Sequence, residues 1–237
     1  MKAYGYIQTI IALTFLAVAP AQAQTTAGTP LRDTVPPAPG QIWQKPLAAS
    51  LTGLTVATGI SPMLIEPMRR QNILFRENVQ MWRRNTMDFR SLHFDNVIQL
   101  LPLSATVALS WCGVPSRHEG WPLVRRTAST LIVVTAVTQP LKGLVGEMRP
   151  DYSSTTSFPS GHTALAFSGA ELLRLEYGQS SPWIPAAGFA IAALAGFMRI
   201  YNDRHWTGDV LAGAGIGIIS ADISYWLNNL IDRKCNK

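Results

Sequence analysis

Five apolar stretches, at about 97–112, 128–145, 163–175, 183–198 and 209–227, alternate with loops rich in Arg, Pro and Gly, and this alternation is the strongest constraint on the fold. Each suits a helix, although several fall short of the roughly 20 residues that a bilayer crossing requires, so polar neighbours must be recruited at their ends. Charged residues make up only 14% of the 237-residue chain, against about 25% in an ordinary soluble domain. A deficit of that size points to helices that face lipid. Small residues mark where such helices would touch: Ala186, Ala190, Ala193 and Gly196 in one stretch, Gly213, Ala214, Gly215 and Gly217 in another. Side chains this small let backbones approach closely. The expectation is an all-α helical bundle, membrane-embedded, with about five core helices over residues 97–230; an Ala/Gly-rich soluble helical core is the alternative.

Ahead of the bundle, residues 1–23 read as a secretory signal peptide. Lys2 opens it, residues 7–19 are apolar, and Ala21-Gln22-Ala23 has the small-x-small cleavage pattern. An uncleaved anchor is the alternative, and either form exports the chain beyond it. Residues 24–44, rich in Thr, Pro and Ala, form a linker or disordered extension. Residues 45–96 read as an interfacial or amphipathic helical segment, in which Arg, Gln, Trp and Phe interleave.

With the N-terminus exported, the first span enters the cytoplasm and Arg117, Arg125 and Arg126 follow in a cytoplasmic loop, as the positive-inside rule demands. The loops at 142–162 and 199–205 then share the outer face, periplasmic or exterior, and the basic C-terminal end lies inside. Arg76, Arg83, Arg84 and Arg90 run against this pattern by falling outside. The net charge of +6 is carried largely in separated pairs such as Arg69-Arg70 and Arg83-Arg84. Such pairs suit membrane orientation or anion contacts rather than a nucleic-acid track. Cys112 and Cys235 fall at ends expected to be cytoplasmic, and so as free thiols.

Three clusters carry chemistry: Lys142 to Arg149-Pro150, Pro159-Ser160-Gly161-His162, and Arg199 to His205 and Asp209. Lys142, Arg149 and Arg199 supply three cations for one dianion, the arginines offering two-pronged hydrogen bonding. Ser160-Gly161-His162 directly precedes an apolar helix, whose free N–H groups make an anion pocket that Gly lets a ligand approach. His205 and Asp209, four apart, share a face if helical. The carboxylate would then fix the imidazole tautomer and leave the other nitrogen free to attack. His162 is the natural acid for a departing oxygen.

In order and spacing these clusters resemble the type 2 phosphatidic acid phosphatase superfamily, whose signature is Lys-x6-Arg-Pro, Pro-Ser-Gly-His and Ser-Arg-x5-His-x3-Asp. Ten specified residues recur between Lys142 and Asp209. Met198 stands where the signature has Ser, which removes a hydrogen bond worth about 0.5–1.5 kcal/mol. The resemblance implies that Lys142, Arg149 and Arg199, with Ser160 and the Gly161 amide, bind the phosphoryl oxygens. It further implies that His205 forms a phosphohistidine, that Asp209 holds it, and that His162 protonates the leaving group. No metal or other cofactor is implied. The implied activity is metal-independent hydrolysis of a phosphate monoester or diphosphate, on a phosphorylated lipid held by the membrane or on a small phosphate. A soluble exported acid phosphatase is the alternative, and a vanadium-dependent haloperoxidase, which shares the signature, a more distant one. Neither nucleic acid nor an obligate protein partner is implied.

Other features read as ordinary. His93 and His118 are expected at the surface. Thr135, Thr138 and Gln139 are expected to make interhelical hydrogen bonds. Glu147 and Asp203 would trim the charge of the neighbouring cations, and the Trp and Arg residues of 81–94 would anchor at the membrane interface.

Overall fold

The computed structural model describes residues 66–86 and 94–235, with side chains from 74 to 86 and from 94 to 234. The expected signal peptide and linker, along with Arg90 and His93, lie outside the described residues. Within them the chain forms seven helices and no strand: α1 Glu66–Thr86, α2 Asp95–Ile98, α3 Leu101–Trp111, α4 Trp121–Val145, α5 Gly161–Tyr177, α6 Trp183–Tyr201 and α7 Thr207–Cys235. The fold class is therefore all-α, with α3 to α7 as five core helices.

Local chemistry sets the helix ends. The stretch expected as one helix over 97–112 is split, because Pro102 has no N–H to donate and belongs in a first turn, so α3 restarts there. Pro122 likewise sits in the first turn of α4. That helix begins earlier than expected, and Arg125 and Arg126 lie on it rather than in the preceding loop. Gly146, left-handed at φ 63°, closes α4 by donating to the Lys142 carbonyl at 3.3 Å. Ser160 caps α5, its hydroxyl accepting from the Thr163 N–H at 3.5 Å.

Three helices, α4, α6 and α7, are long and apolar enough to cross a membrane. The shorter α5 is the hub of the bundle and packs against α3, α4, α6 and α7. It carries Glu171, Arg174 and Glu176, yet both glutamates are buried, so its charges point into protein rather than lipid. Arg174 holds Glu171, and the Tyr177 hydroxyl donates to the Thr106 carbonyl of α3.

The glycine stretch of α7 does what its composition predicts. A Cβ on Gly217 would lie 2.3 Å from the Ala164 carbonyl oxygen, and one on Gly213 would lie 2.6 Å from that of Ser160. The backbones of α5 and α7 therefore touch, and the Gly213 contact seats the start of α5. Gly217→Val is expected to cost about 1–3 kcal/mol through overpacking, read as a lower melting midpoint in detergent; an unchanged midpoint would contradict this packing. In α6 the small-residue expectation is only partly met. Ala186, Ala190 and Ala193 face outward, and the buried face is Gly188, Ala192, Ala195 and Gly196. Small residues occur on both sides of α6, so its phase is set by Gly188 and Gly196 meeting α5 and α7.

One end of the bundle is tied by a buried polar network. Arg126 of α4, fully buried, binds Asp232 and Asn229 of α7 at 2.6 and 2.9 Å. Arg125 pairs with the same aspartate. His118, expected as a surface residue, instead has its ring nitrogen 3.0 Å from Glu176, whose carboxylate also accepts the His118 backbone N–H. Cys112, exposed, is a free thiol. The motif-bearing loops lie together at the other end, where the Ser160 N–H donates to the Asp209 carbonyl at 3.0 Å.

Candidate active site

The three sequence clusters, spread over almost 70 residues, come together at that end. Lys142, in the last turn of α4, donates to the Thr156 and Pro159 carbonyls at 3.0 and 2.7 Å, pinning the loop that leads into α5. Its Cε lies 3.6 Å from where a Gly161 Cβ would stand, which places the ammonium arm over the helix start. Arg149 follows α4 in the loop and reaches the Thr156 hydroxyl at 3.5 Å. Arg199 arrives from the last turn of α6. Ser160, fully buried, shares a 2.8 Å hydrogen bond with the Thr163 hydroxyl.

His205 is 1% exposed. Burial, reinforced by the charges of Arg199, Lys142 and Arg149, holds its imidazole well below the usual histidine range. All three cations therefore act on one ring, the electrostatic sign that they converge. The same environment keeps that ring unprotonated, with a lone pair available at neutral pH.

The pairing with Asp209 differs from the shared helical face expected. His205 lies in the turn before α7, its N–H directed to the Arg199 carbonyl at 3.3 Å, while Asp209 sits in the first turn of α7. Their closest approach is 3.6 Å, beyond hydrogen-bond range. The Asp209 carboxylate instead accepts from the Ser157 hydroxyl and from the Trp206 N–H at 2.9 Å, capping the helix. Catalytic hydrogen bonds often tighten only with substrate in place, and a 3.6 Å gap is short enough for that.

Several residues near the site carried no sequence signal. Asp95 of α2, 2% exposed, forms a buried ion pair with Arg199 from 104 positions away. Its neighbour Asn96 accepts a 2.9 Å hydrogen bond from the His162 ring. One turn of helix thus contacts both a phosphate-binding candidate and the acid candidate. Asp95→Asn is expected to lower kcat by about 10- to 100-fold, because an Arg199 displaced by as little as about 1 Å loses its alignment. Steady-state kinetics on folded protein would check this, and an unchanged kcat would free Arg199 from dependence on α2.

Glu147 and Asp203, expected to trim the charge of the site cations, each pair with arginines of α1, Glu147 with Arg76 and Asp203 with Arg83 and Arg84. These contacts give Arg76, Arg83 and Arg84 carboxylate partners at this end of the bundle. Thr138 bonds the Val134 carbonyl of its own helix at 2.8 Å, and Thr135 and Gln139 are exposed, so the expected interhelical bonds do not form there.

Fold and site together define a helical membrane protein whose two histidines and three cations gather at one end of the bundle. Residues 124–232 match the model of the PAP2 superfamily. It is 41% identical over 140 residues to the lipid A 1-phosphatase of Porphyromonas gingivalis, a match covering 59% of this chain and 32% of that protein. It is 29% identical over 124 residues to the bacitracin transport permease protein BcrC of Bacillus licheniformis, covering 44% of this chain and 59% of that one. The chain thus spans about a third to three-fifths of these curated relatives. Among solved structures it resembles a transmembrane PAP2-type phosphatidylglycerolphosphate phosphatase from Bacillus subtilis. The TM-score is 0.51 at 18% identity, over 78% of this chain and 96% of that one, a likeness of fold.

Proposed function

We propose that this protein is a metal-independent phosphatase of the membrane that removes a phosphate from a lipid through a phosphohistidine intermediate. The observation that carries the reading is the buried His205 under the combined charge of Lys142, Arg149 and Arg199. In the first step a His205 ring nitrogen forms a bond to phosphorus while the bond to the leaving oxygen breaks, and His162 gives that oxygen its proton. In the second, water attacks phosphorus, the P–N bond breaks, and His162 takes the proton from water, releasing inorganic phosphate. The cations, with Ser160 and the Gly161 amide, stabilise the charge on the equatorial oxygens in both steps. Ser157 and Asp209 would hold His205 in line.

Three helices able to cross a membrane favour a lipid substrate over a soluble one, and the lipid A phosphatase relative makes a phosphorylated glycolipid the first candidate. The basic residues towards the far end of the bundle, Arg125, Arg126, Arg233 and Lys234, favour a cytoplasmic position there and an outward-facing site. Residues 97–230 would form the catalytic bundle. The test is phosphate release by purified protein from lipid A, diacylglycerol phosphate, an isoprenoid diphosphate and a water-soluble ester. Release from a lipid substrate is expected to persist in a strong chelator and to be blocked by vanadate. Loss in chelator that Mg²⁺ restores would overturn the mechanism, and preference for the soluble ester would overturn the substrate class.

A further inference from the structure

Helix α1 has two opposed faces. Arg76, Gln80, Arg83 and Arg84 lie on one, and every one of them engages the loops of the site. Arg76 pairs with Glu147 and stacks 4.0 Å above the Trp206 ring. Gln80 donates to the His205 carbonyl at 3.5 Å. Arg83 and Arg84 hold Asp203, and Arg84 also reaches the Pro150 carbonyl at 3.4 Å. The opposite face presents Leu74, Phe75, Met81 and Trp82, which are 58%, 58%, 58% and 55% exposed. Four large apolar groups left open on one helix mark an interaction surface.

The position of the docked face identifies what covers the open one. Glu147 stands two residues beyond the end of α4 and Trp206 one residue before the start of α7, both helices able to cross a membrane. Helix α1 therefore lies across the ends of two spans, at the depth where they leave the bilayer. Leu144 and Met148, flanking Glu147, are themselves 80% and 42% exposed, so the apolar surface of the span end continues towards α1. Asn78 and Asn85 share its outer face, a mixture suited to headgroup depth rather than the hydrocarbon centre, and Trp prefers that zone.

We infer that α1 is a membrane-surface helix: its Leu74, Phe75, Met81 and Trp82 face enters the lipid, while its basic face grips the loops carrying Arg149 and His205. The membrane surface is thereby brought to the rim of the site. This inference does not depend on the chemistry of the site, and its test needs no turnover.

Single cysteines at Leu74, Phe75 and Trp82, in a Cys112→Ser, Cys235→Ser background, would carry nitroxide labels in nanodiscs holding one copy of the protein. Collision rates with oxygen and with a water-soluble nickel chelate report depth. Ile132→Cys, on the exposed middle of α4, serves as the lipid reference, and Glu119→Cys, in the loop before α4, as the aqueous one. The three α1 labels are expected to be several-fold less accessible to nickel than the Glu119 label, and closer in oxygen accessibility to the Ile132 label. Nickel accessibility equal to that at Glu119 would overturn the inference. So would protection that appears only when several copies share one vesicle, which would make a second copy the occupant. Because all three sites are exposed, the labels leave the packing of the bundle undisturbed.

Discussion

His205→Ala is expected to lower phosphate release on the order of 10⁴-fold or more, as loss of a nucleophile does in comparable covalent mechanisms. The size of the effect follows from the site. His205 is buried, unprotonated, and under the influence of all three cations. His162 is buried under the same three cations, but its ring is engaged by Asn96, and His118 lies in the network at the far end, which leaves His205 as the attacking ring. The variant should still bind phosphate analogues, because Lys142, Arg149 and Arg199 remain, so vanadate affinity serves as the control for folding. Trapping with a radiolabelled substrate should yield an acid-labile phosphoprotein in the wild type and none in the variant. A variant turning over at the wild-type rate would remove His205 from the chemistry.

The second large effect is expected at His162, and it should depend on the leaving group. A general acid contributes about 10²- to 10⁴-fold when the departing oxygen needs a proton, and little when it leaves readily as an anion. His162→Ala should therefore lose most of its rate on an alkyl phosphate, such as a lipid phosphate, and far less on p-nitrophenyl phosphate. Equal losses on both would assign His162 to phosphate binding instead of proton transfer. Asn96 gives a graded companion. Its carbonyl accepts from the His162 ring, so Asn96→Ala should move the alkyl phosphate rate in the same direction by a smaller factor, through ring orientation alone.

Much of this architecture was legible without coordinates because its determinants are local. Lys142 and Arg149 flank a helix end that Gly146 closes, and Ser160 with Gly161 and His162 begins the next helix. Short spacing and terminus chemistry are properties of a few adjacent residues, so a linear reading reaches them. The same holds for the close approach at Gly213 and Gly217, where an apolar helix without side chains at those positions invites a neighbouring backbone.

What tertiary structure alone decided involves partners that no spacing links. Asp95 meets Arg199 from 104 positions away and Asn96 meets His162 from 66, while Arg83 and Arg84 reach Asp203 from well over 100. The inward face of α6 was undecidable from its composition, because Ala recurs all round the helix and only packing against α5 and α7 selects Gly188, Ala192 and Ala195. Capping groups at helix ends, such as Ser160 and Gly146, could be read from the chain itself, since hydrogen bonding within a turn depends on neighbours. Which of those ends meet, and which charges are neutralised before a phosphate arrives, depended on how the helices pack, a choice settled by contacts among all of them at once.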